Sequence, residues 1–333
     1  MRRRASLVLL ALAVFFAALS PLVRWYAFPR LAKIPPNQYQ ETVLEARPAT
    51  LLDYSTLKAE KVDRITIVQT LRGNVEESEK IERSAGRDVV VWDALSYVQG
   101  PDGKMVSKIP ERYIFDAHSQ DPVHATGEMV DGDPVSREGI EFKWPFLTEK
   151  RDYEYFDAQT RTSSPIHYKG TRDFRGMDVY YFEQTVPWTK VPMPKTMPIK
   201  GITAGQIAST GVTRWYTTKR MFWVDPVTGA PVNGEEVHKE ELRNAKAMGM
   251  AQDTVTVFAG HVKMREDYIV SIVDLVRSQR VLVLLLTSYL PWGFLTLGGG
   301  LLALSLWLEA RSRRPDEAQT PGREESAPAP TPA

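Results

Sequence analysis

The chain has 333 residues, 43% of them hydrophobic, and carries 42 basic against 41 acidic side chains for a net charge of +1. This length supports a real core in one large or two small domains, and the near-neutral balance leaves no electrostatic footprint for a nucleic-acid partner. There is no cysteine, which excludes a disulfide framework, thiolate zinc sites and cysteine nucleophiles, and no Asn-x-Ser/Thr sequon.

The amino end places Arg2, Arg3 and Arg4 before a charge-free run at 5–23. At about 1.5 Å per residue this run matches a hydrocarbon core of roughly 30 Å. The apolar part of a cleaved signal peptide is only about 7–15 residues long and ends at a small-x-small site. Here Ala17 and Ala18 lie inside the run, and Leu19, Ser20, Pro21 and the bulky Trp25 and Tyr26 follow. The reading is therefore an uncleaved anchor, with its arginines in the cytoplasm and Trp25 and Tyr26 at the outer interface. The segment "FPRLAKIPPNQYQ" reads as an extended exit.

The following region reads mainly as strands. "KVDRITIVQTL" sets Val62, Ile65 and Ile67 among polar residues, and "DVVVWDALSYVQG" is β-branched and aromatic and closes on a Gly-Pro-Asp-Gly turn. "PIHYKGTRDFRGMDVYYFEQTVPW" reads as a hairpin turning at 174–176. "TRWYTTKRMFWVDPVTGAPV" is a strand entering a turn at Asp225, and "DTVTVFAGHV" alternates again. "GEEVHKEELRNAKAM" fits a helix or a return strand equally. In "EDYIVSIVDLVRSQR", Ile269, Ile272, Val273 and Val276 recur at helical spacing.

This helix leads into a second charge-free run, 281–308, which as one helix is about 42 Å long and overshoots a bilayer. Tyr289 and Trp292 at one end and Trp307 at the other suit two interfacial belts, and Arg311, Arg313 and Arg314 place the far end in the cytoplasm. Residues 281–288 then stand outside as an apolar stalk, Pro291 permits a kink, and Gly298 to Gly300 offer a small-residue face to the first helix. The Pro-rich tail reads as disordered. The expected fold is α+β. A mainly antiparallel β domain at 24–288, with a helical stalk at 265–288, is held outside the cytoplasm by transmembrane helices at 5–23 and 289–308. Residues 1–4 and a disordered 309–333 stay inside.

No Gly-x-Ser-x-Gly elbow, His-Glu-x-x-His or glycine-rich phosphate loop occurs, so no catalytic residue, cofactor or metal site is assigned. Asp116, His118, Asp121, His124, Asp131 and Asp133 form the densest polar run. Such ligand types hold metals, but the run reads more readily as a solvated, turn-rich loop. Phe142, Trp144, Phe146, Trp215 and Trp223, with Val283 and Leu285 on the stalk, are the candidate lining of an apolar-ligand groove, set against ordinary cross-strand packing.

The charged amino end with its anchor, "FKWPFLTEKRDYEYFDAQT", "YKGTRDFRGMDVYYFEQ", "RMFWVDPVTG" and the closing anchor together resemble the actinobacterial PorA-family porins over nearly the whole chain. That resemblance implies a channel across the outer lipid layer of mycolate-containing bacteria. In architecture alone the chain is similar to class B scavenger receptors, whose two anchors hold a β-rich domain containing a lipid tunnel. Three expectations follow: a non-enzymatic envelope protein that binds or conducts lipid, with membrane lipids as partners; an oligomeric pore, made of copies of itself or with an envelope protein; and an envelope glycolipid hydrolase.

Overall fold

A computed structural model describes residues 2–54, 56–196 and 203–312, so most of the expected tail lies outside the described residues. In chain order the elements begin with helix α1 (Arg2–Pro21), a π-helical turn (Leu22–Ala27) and α2 (Phe28–Leu31). Strands β1 (Tyr39–Asp53), β2 (Lys58–Val62) and β3 (Ile65–Gly73) precede α3 (Val75–Ala85). There follow β4 (Val89–Gln99), β5 (Met105–Asp116), β6 (Met129–Val130), β7 (Asp133–Pro134), β8 (Tyr153–Asp157), β9 (Thr162–Phe174) and β10 (Met177–Val191). After α4 (Ala204–Ser209) come β11 (Thr213–Val224), β12 (Pro231–Arg243) and β13 (Thr254–Met264). The chain then enters α5 (Glu266–Leu284), a second π-helical turn (Leu285–Tyr289) and α6 (Leu290–Ser312). These elements form two compact units: Pro29–Leu284, which falls inside the expected 24–288, and the residues up to Phe28 together with those from Leu285.

The strands of the larger unit pair antiparallel in one thirteen-stranded sheet, ordered β7-β6-β5-β4-β3-β1-β13-β12-β11-β10-β9-β8, with β2 on β1. The order follows from local hairpins, which need only short turns; the long-range join is β1, which takes β3 on one side and β13 on the other. Its register against β13 shifts between Ala46 and Ala49, where a side chain on Gly260 would meet the Ala46 Cβ at 2.9 Å. Small residues at this irregularity let the strands approach closely.

The two ends of the sheet are joined by the segment 128–141. Val130 pairs with Glu111 of β5, while Ile140 bridges in parallel to Tyr155 of β8. β12 settles the ambiguous "GEEVHKEEL" as a strand: Glu236, His238 and Glu240 turn inward and Val237 and Lys239 outward, the period-2 alternation of a pleated strand. The predicted helical stripe is real as well. Ile269, Val273 and Val276 of α5 pack on Met177, Val179 and Val232, and Arg280 donates to Asp225 at 2.9 Å.

In the smaller unit α1 and α6 lie antiparallel, as three contacts show. Ser6 meets Ser305 at 3.0 Å, Phe16 stacks on Phe294 at 5.9 Å, and Gly298 faces Ala13 so closely that a Cβ would stand 3.1 Å from its carbonyl oxygen. Away from this seam the large apolar side chains are exposed, among them Leu7, Val14, Phe15, Leu297 and Leu306. Among the described residues one helix, Arg4–Leu31, is long and apolar enough to cross a membrane.

Candidate functional site

The aromatic run "FKWPFLTEKRDY" is an irregular loop before β8. Phe142 (φ 62°) and Leu147 (φ 56°) both adopt the left-handed backbone region, uncommon for side-chain-bearing residues. The loop is fastened to the turn after β11 by Trp144 N–H to Gly229 O at 2.9 Å and Leu147 N–H to Val227 O at 3.0 Å. Two glycines make these approaches feasible. A Cβ at Gly229 would lie 2.2 Å from Trp144 O, and one at Gly139 2.1 Å from Glu154 O.

The loop forms one wall of a cleft of about 460 Å³, within the range of about 300–1,000 Å³ usual for small-molecule sites. Ile140, Pro145, Phe146, Leu147 and Tyr153 make its apolar part, and Asp121, Glu149, Arg151 and Glu154 its polar part. Arg151 lies over the Tyr153 ring and pairs with Glu149 at 2.8 Å. Behind Phe146 the Lys143 amine sits 4.0 Å from the ring centroid and donates to Trp144 O. Its stem keeps some exposure, but burial of the amine pushes its pKa down to about 7, against the opposing pull of Asp225.

The candidate apolar-ligand residues do not share one groove. Phe142 and Phe146 pack on the cluster of Trp92, Tyr113 and Phe115, and Phe146 also lines the cleft. Trp144 is fully buried against Tyr155, Phe182 and Phe222, and its Nε1 has no hydrogen-bond partner among the described residues. Trp223 lies in the α5 cluster, and Trp215 stands on the outward side of β11 beneath Arg243. Val283 is buried at the end of α5, while Leu285 belongs to the smaller unit. Phe142, Trp144 and Phe146 lie in an irregular loop, and Trp215 and Trp223 stand eight positions apart along β11, so sequence proximity does not bring these side chains to one surface.

The expected interface residues keep exposed side chains: Trp25 75%, Tyr26 54%, Tyr289 62%, Trp292 68% and Trp307 53%. The two π-helical turns lie against each other, which gathers Trp25, Tyr26 and Tyr289, with Trp292 one turn further, at one end of the helix pair; Trp307 is at the other. The histidine–aspartate run disperses. Asp116 accepts from the His118 amide, His118 meets Asp88 at 2.9 Å, and His124 lies 3.4 Å from Ser136. Asp131 accepts from the Lys195 amide, Asp133 pairs with Lys195 and Arg161, and Asp121 joins the cleft. Among the described residues no group of three or more His, Cys, Asp or Glu is arranged to hold a metal.

Sequence reasoning missed the charged interior. Arg137, wholly buried between Tyr113 and Phe156, donates to Glu111 at 3.0 Å, Glu128 at 3.3 Å and Glu141 at 2.8 Å. Burial, and then repulsion from Glu111, hold Glu141 well above the usual carboxylate range despite Arg137, and burial likewise raises Glu111. A second row joins Arg214–Glu240 (2.7 Å), Glu240–His238 (2.8 Å), His238–Glu236 (2.8 Å), Glu236–Arg220 (3.3 Å) and Arg220–Asp157 (2.6 Å). Burial works against charge on His238, but its two glutamates outweigh that and lift its pKa to about 9. Burial also opposes Glu240, which Arg214 and His238 bring down to about 2. The signal was present: Glu236, His238 and Glu240, like Arg214, Thr218 and Arg220, share one strand face.

The arrangement offers a mixed cleft, an ion-paired interior and an apolar helix pair. Two curated proteins are similar to the chain. Porin PorA of Corynebacterium amycolatum is 22% identical over 71% of this chain and 77% of its own length. Porin PorA of Corynebacterium resistens is 29% identical over 40% of this chain, a match spanning about half of that relative, 46%. The family model described as Porin PorA matches residues 5–307. With that match running from the start of the first apolar helix almost to the end of α6, the chain belongs to the porin PorA family.

Proposed function

We propose that the protein is a two-pass, non-enzymatic membrane protein of the cell envelope that serves the passage of molecules, the channel implied by the family description being built from several copies. The division of surfaces carries this reading. The helix pair exposes apolar side chains all round, whereas the outward positions of the central strands hold exposed Lys219, Lys239 and Lys263. A membrane barrel instead places an apolar band at such positions. The β unit therefore suits an aqueous compartment outside the cytoplasm, and α1 and α6 suit the bilayer, with Arg4 and Arg311 at the cytoplasmic side. Neither helix carries a charge at mid-depth, so a water-filled path needs helix pairs from several copies. The test is purified, cross-linkable oligomer in a planar bilayer. Discrete conductance steps from the oligomer are expected, and a folded oligomer that never conducts removes the channel reading.

A second reading, binding of an apolar ligand such as a membrane lipid, is favoured by the wall of Phe146, Leu147 and Tyr153 in the cleft. Mass spectrometry of the detergent-extracted protein then finds a stoichiometric lipid that Phe146→Asp removes. A lipid ratio unchanged by this substitution rejects the cleft as its site.

A further inference from the structure

We propose that the outward face of β10, β11 and β12 around Trp188 and Trp215 is a binding surface for an acidic polysaccharide. Arg243 bridges the two indoles, its guanidinium carbon lying 5.1 Å from the Trp188 ring centroid and 4.2 Å from that of Trp215. The Lys239 amine is 5.4 Å from the Trp188 ring, and Lys190 sits directly across from Trp215 in the β10–β11 register. The Trp215 Nε1 is held by Thr213 at 3.0 Å, which fixes the orientation of that ring.

Trp188 remains 37% exposed on a sheet face whose neighbouring positions carry Lys190, Lys239 and Arg243. An indole in that setting forfeits hydrophobic stabilisation unless something apolar covers it. The charge on the patch is unbalanced. Glu241 is shared between Lys239 at 2.8 Å and Arg243 at 3.5 Å, and Lys190 is exposed with no carboxylate partner among the described residues. Three cations against one carboxylate select an anionic ligand. Two indoles held on a pleated, rigid surface select one with flat C–H faces, since the positive hydrogens of a pyranose ring complement the negative face of the indole. A chain of carboxylated pyranose units satisfies both conditions at once. An acidic peptide satisfies only the charge.

The experiment uses the full-length protein in detergent and three probes: polygalacturonate, neutral dextran and polyglutamate, with binding read by tryptophan fluorescence and calorimetry. Saturable binding of polygalacturonate is expected, at least ten-fold tighter than either other polymer, weakening as salt rises. Trp188→Ala with Trp215→Ala should weaken it at least ten-fold, and Lys190→Glu, a surface change that leaves the fold alone, several-fold. The proposal is overturned if polygalacturonate does not bind, if polyglutamate binds equally well, or if Lys190→Glu leaves the affinity unchanged. Equal polyglutamate binding would point to an acidic protein surface as the partner.

Discussion

The hydroxyls of Ser6 and Ser305 lie 3.0 Å apart although 299 positions separate them, and each bonds the other's backbone carbonyl, at 3.2 and 2.8 Å. Both are buried in the seam between α1 and α6. Polar bonds of this kind between membrane helices contribute about 0.6 kcal/mol on average, up to about 2. The chain has no cysteine, so Ser6→Cys with Ser305→Cys gives a clean test. Mild oxidation should convert this variant to a faster-migrating cross-linked monomer, whereas Ser6→Cys with Leu295→Cys, at the far end of α6, should stay open. Cross-linking in both pairs, or in neither, contradicts the antiparallel packing.

Arg137 pairs with three buried glutamates. Replacing it by Met leaves carboxylates with no countercharge in the segment that joins the ends of the sheet. Breaking one side of a buried ion pair costs about 3–5 kcal/mol. Denaturant titration of the detergent-solubilised protein should show a loss of that size for Arg137→Met, and little recovery with Arg137→Lys, which lacks the fork of donors that reaches several carboxylates. A loss under about 1 kcal/mol for Arg137→Met means that the cluster is not holding the joint.

The two charge clusters set a pH window. His238 is raised from 6.5 to about 9, so its contribution is whole below pH 6.5 and is lost as pH rises through 9. Glu240 is lowered from 4.5 to about 2, so its contribution is whole above pH 4.5 and is lost as pH falls towards 2. Stability from this row therefore peaks between about pH 4.5 and 6.5. The raised Glu111 and Glu141 act in the same direction as His238, their contribution falling as pH climbs above 4.5. Thermal unfolding measured from pH 4 to 10 should show a fall above pH 6.5 that His238→Gln flattens. An unchanged slope in that variant assigns the fall elsewhere.

The Glu111–Glu141 pair makes a prediction of opposite sign. Both carboxyls take bonds from Arg137 in a fully buried setting, and burial raises both, Glu141 further through repulsion from Glu111. Glu141→Gln removes the buried group that must ionise and its repulsion of Glu111, so at pH 8 the variant should be more stable than the parent, by about 1 kcal/mol, and near parity at pH 5. A variant destabilised at both pH values shows that the negative charge on Glu141 is needed by Arg137.

Gly139 carries φ 69°, and its missing side chain is where the backbone of Glu154 passes. Gly139→Ala adds both a strained conformation and a collision with main chain, which cannot rotate away. A loss above about 1 kcal/mol is expected, together with loss of any ligand held by the cleft. Gly86→Ala serves as the comparison, since φ is 65° there but nothing lies within 4 Å. It should show the conformational cost alone.

Much of the architecture was legible along the chain, because it rests on local periodicity. Ile269, Val273 and Val276 announced the face of α5, the Asp225-Pro turn and the turn at 174–176 announced two hairpins, and the apolar run at 5–23 announced a helix unlike any in the β unit. Strands with helix-like composition were harder. "EEVHKEEL" has good helix formers throughout, and only pairing with both β11 and β13 made it a strand, a case of tertiary context overriding propensity.

By itself the sequence determined a β-rich domain bracketed by apolar helices, since charge, hydropathy and alternation act between near neighbours. It also determined the inward set of β12, once the strand was granted. Only the tertiary structure decided which side chains meet. It sent Trp144, Trp215 and Trp223 to three different surroundings, because Trp144 lies in the loop before β8 while Trp215 and Trp223 stand at opposite ends of β11, where Arg243 covers one and the α5 cluster the other. It brought Arg137 to Glu111 across 26 positions and Arg220 to Asp157 across three strands, pairings that depend on register and on the joining of the sheet ends. Those contacts are between residues far apart in the chain, and nothing in their local sequence carries the distance between them.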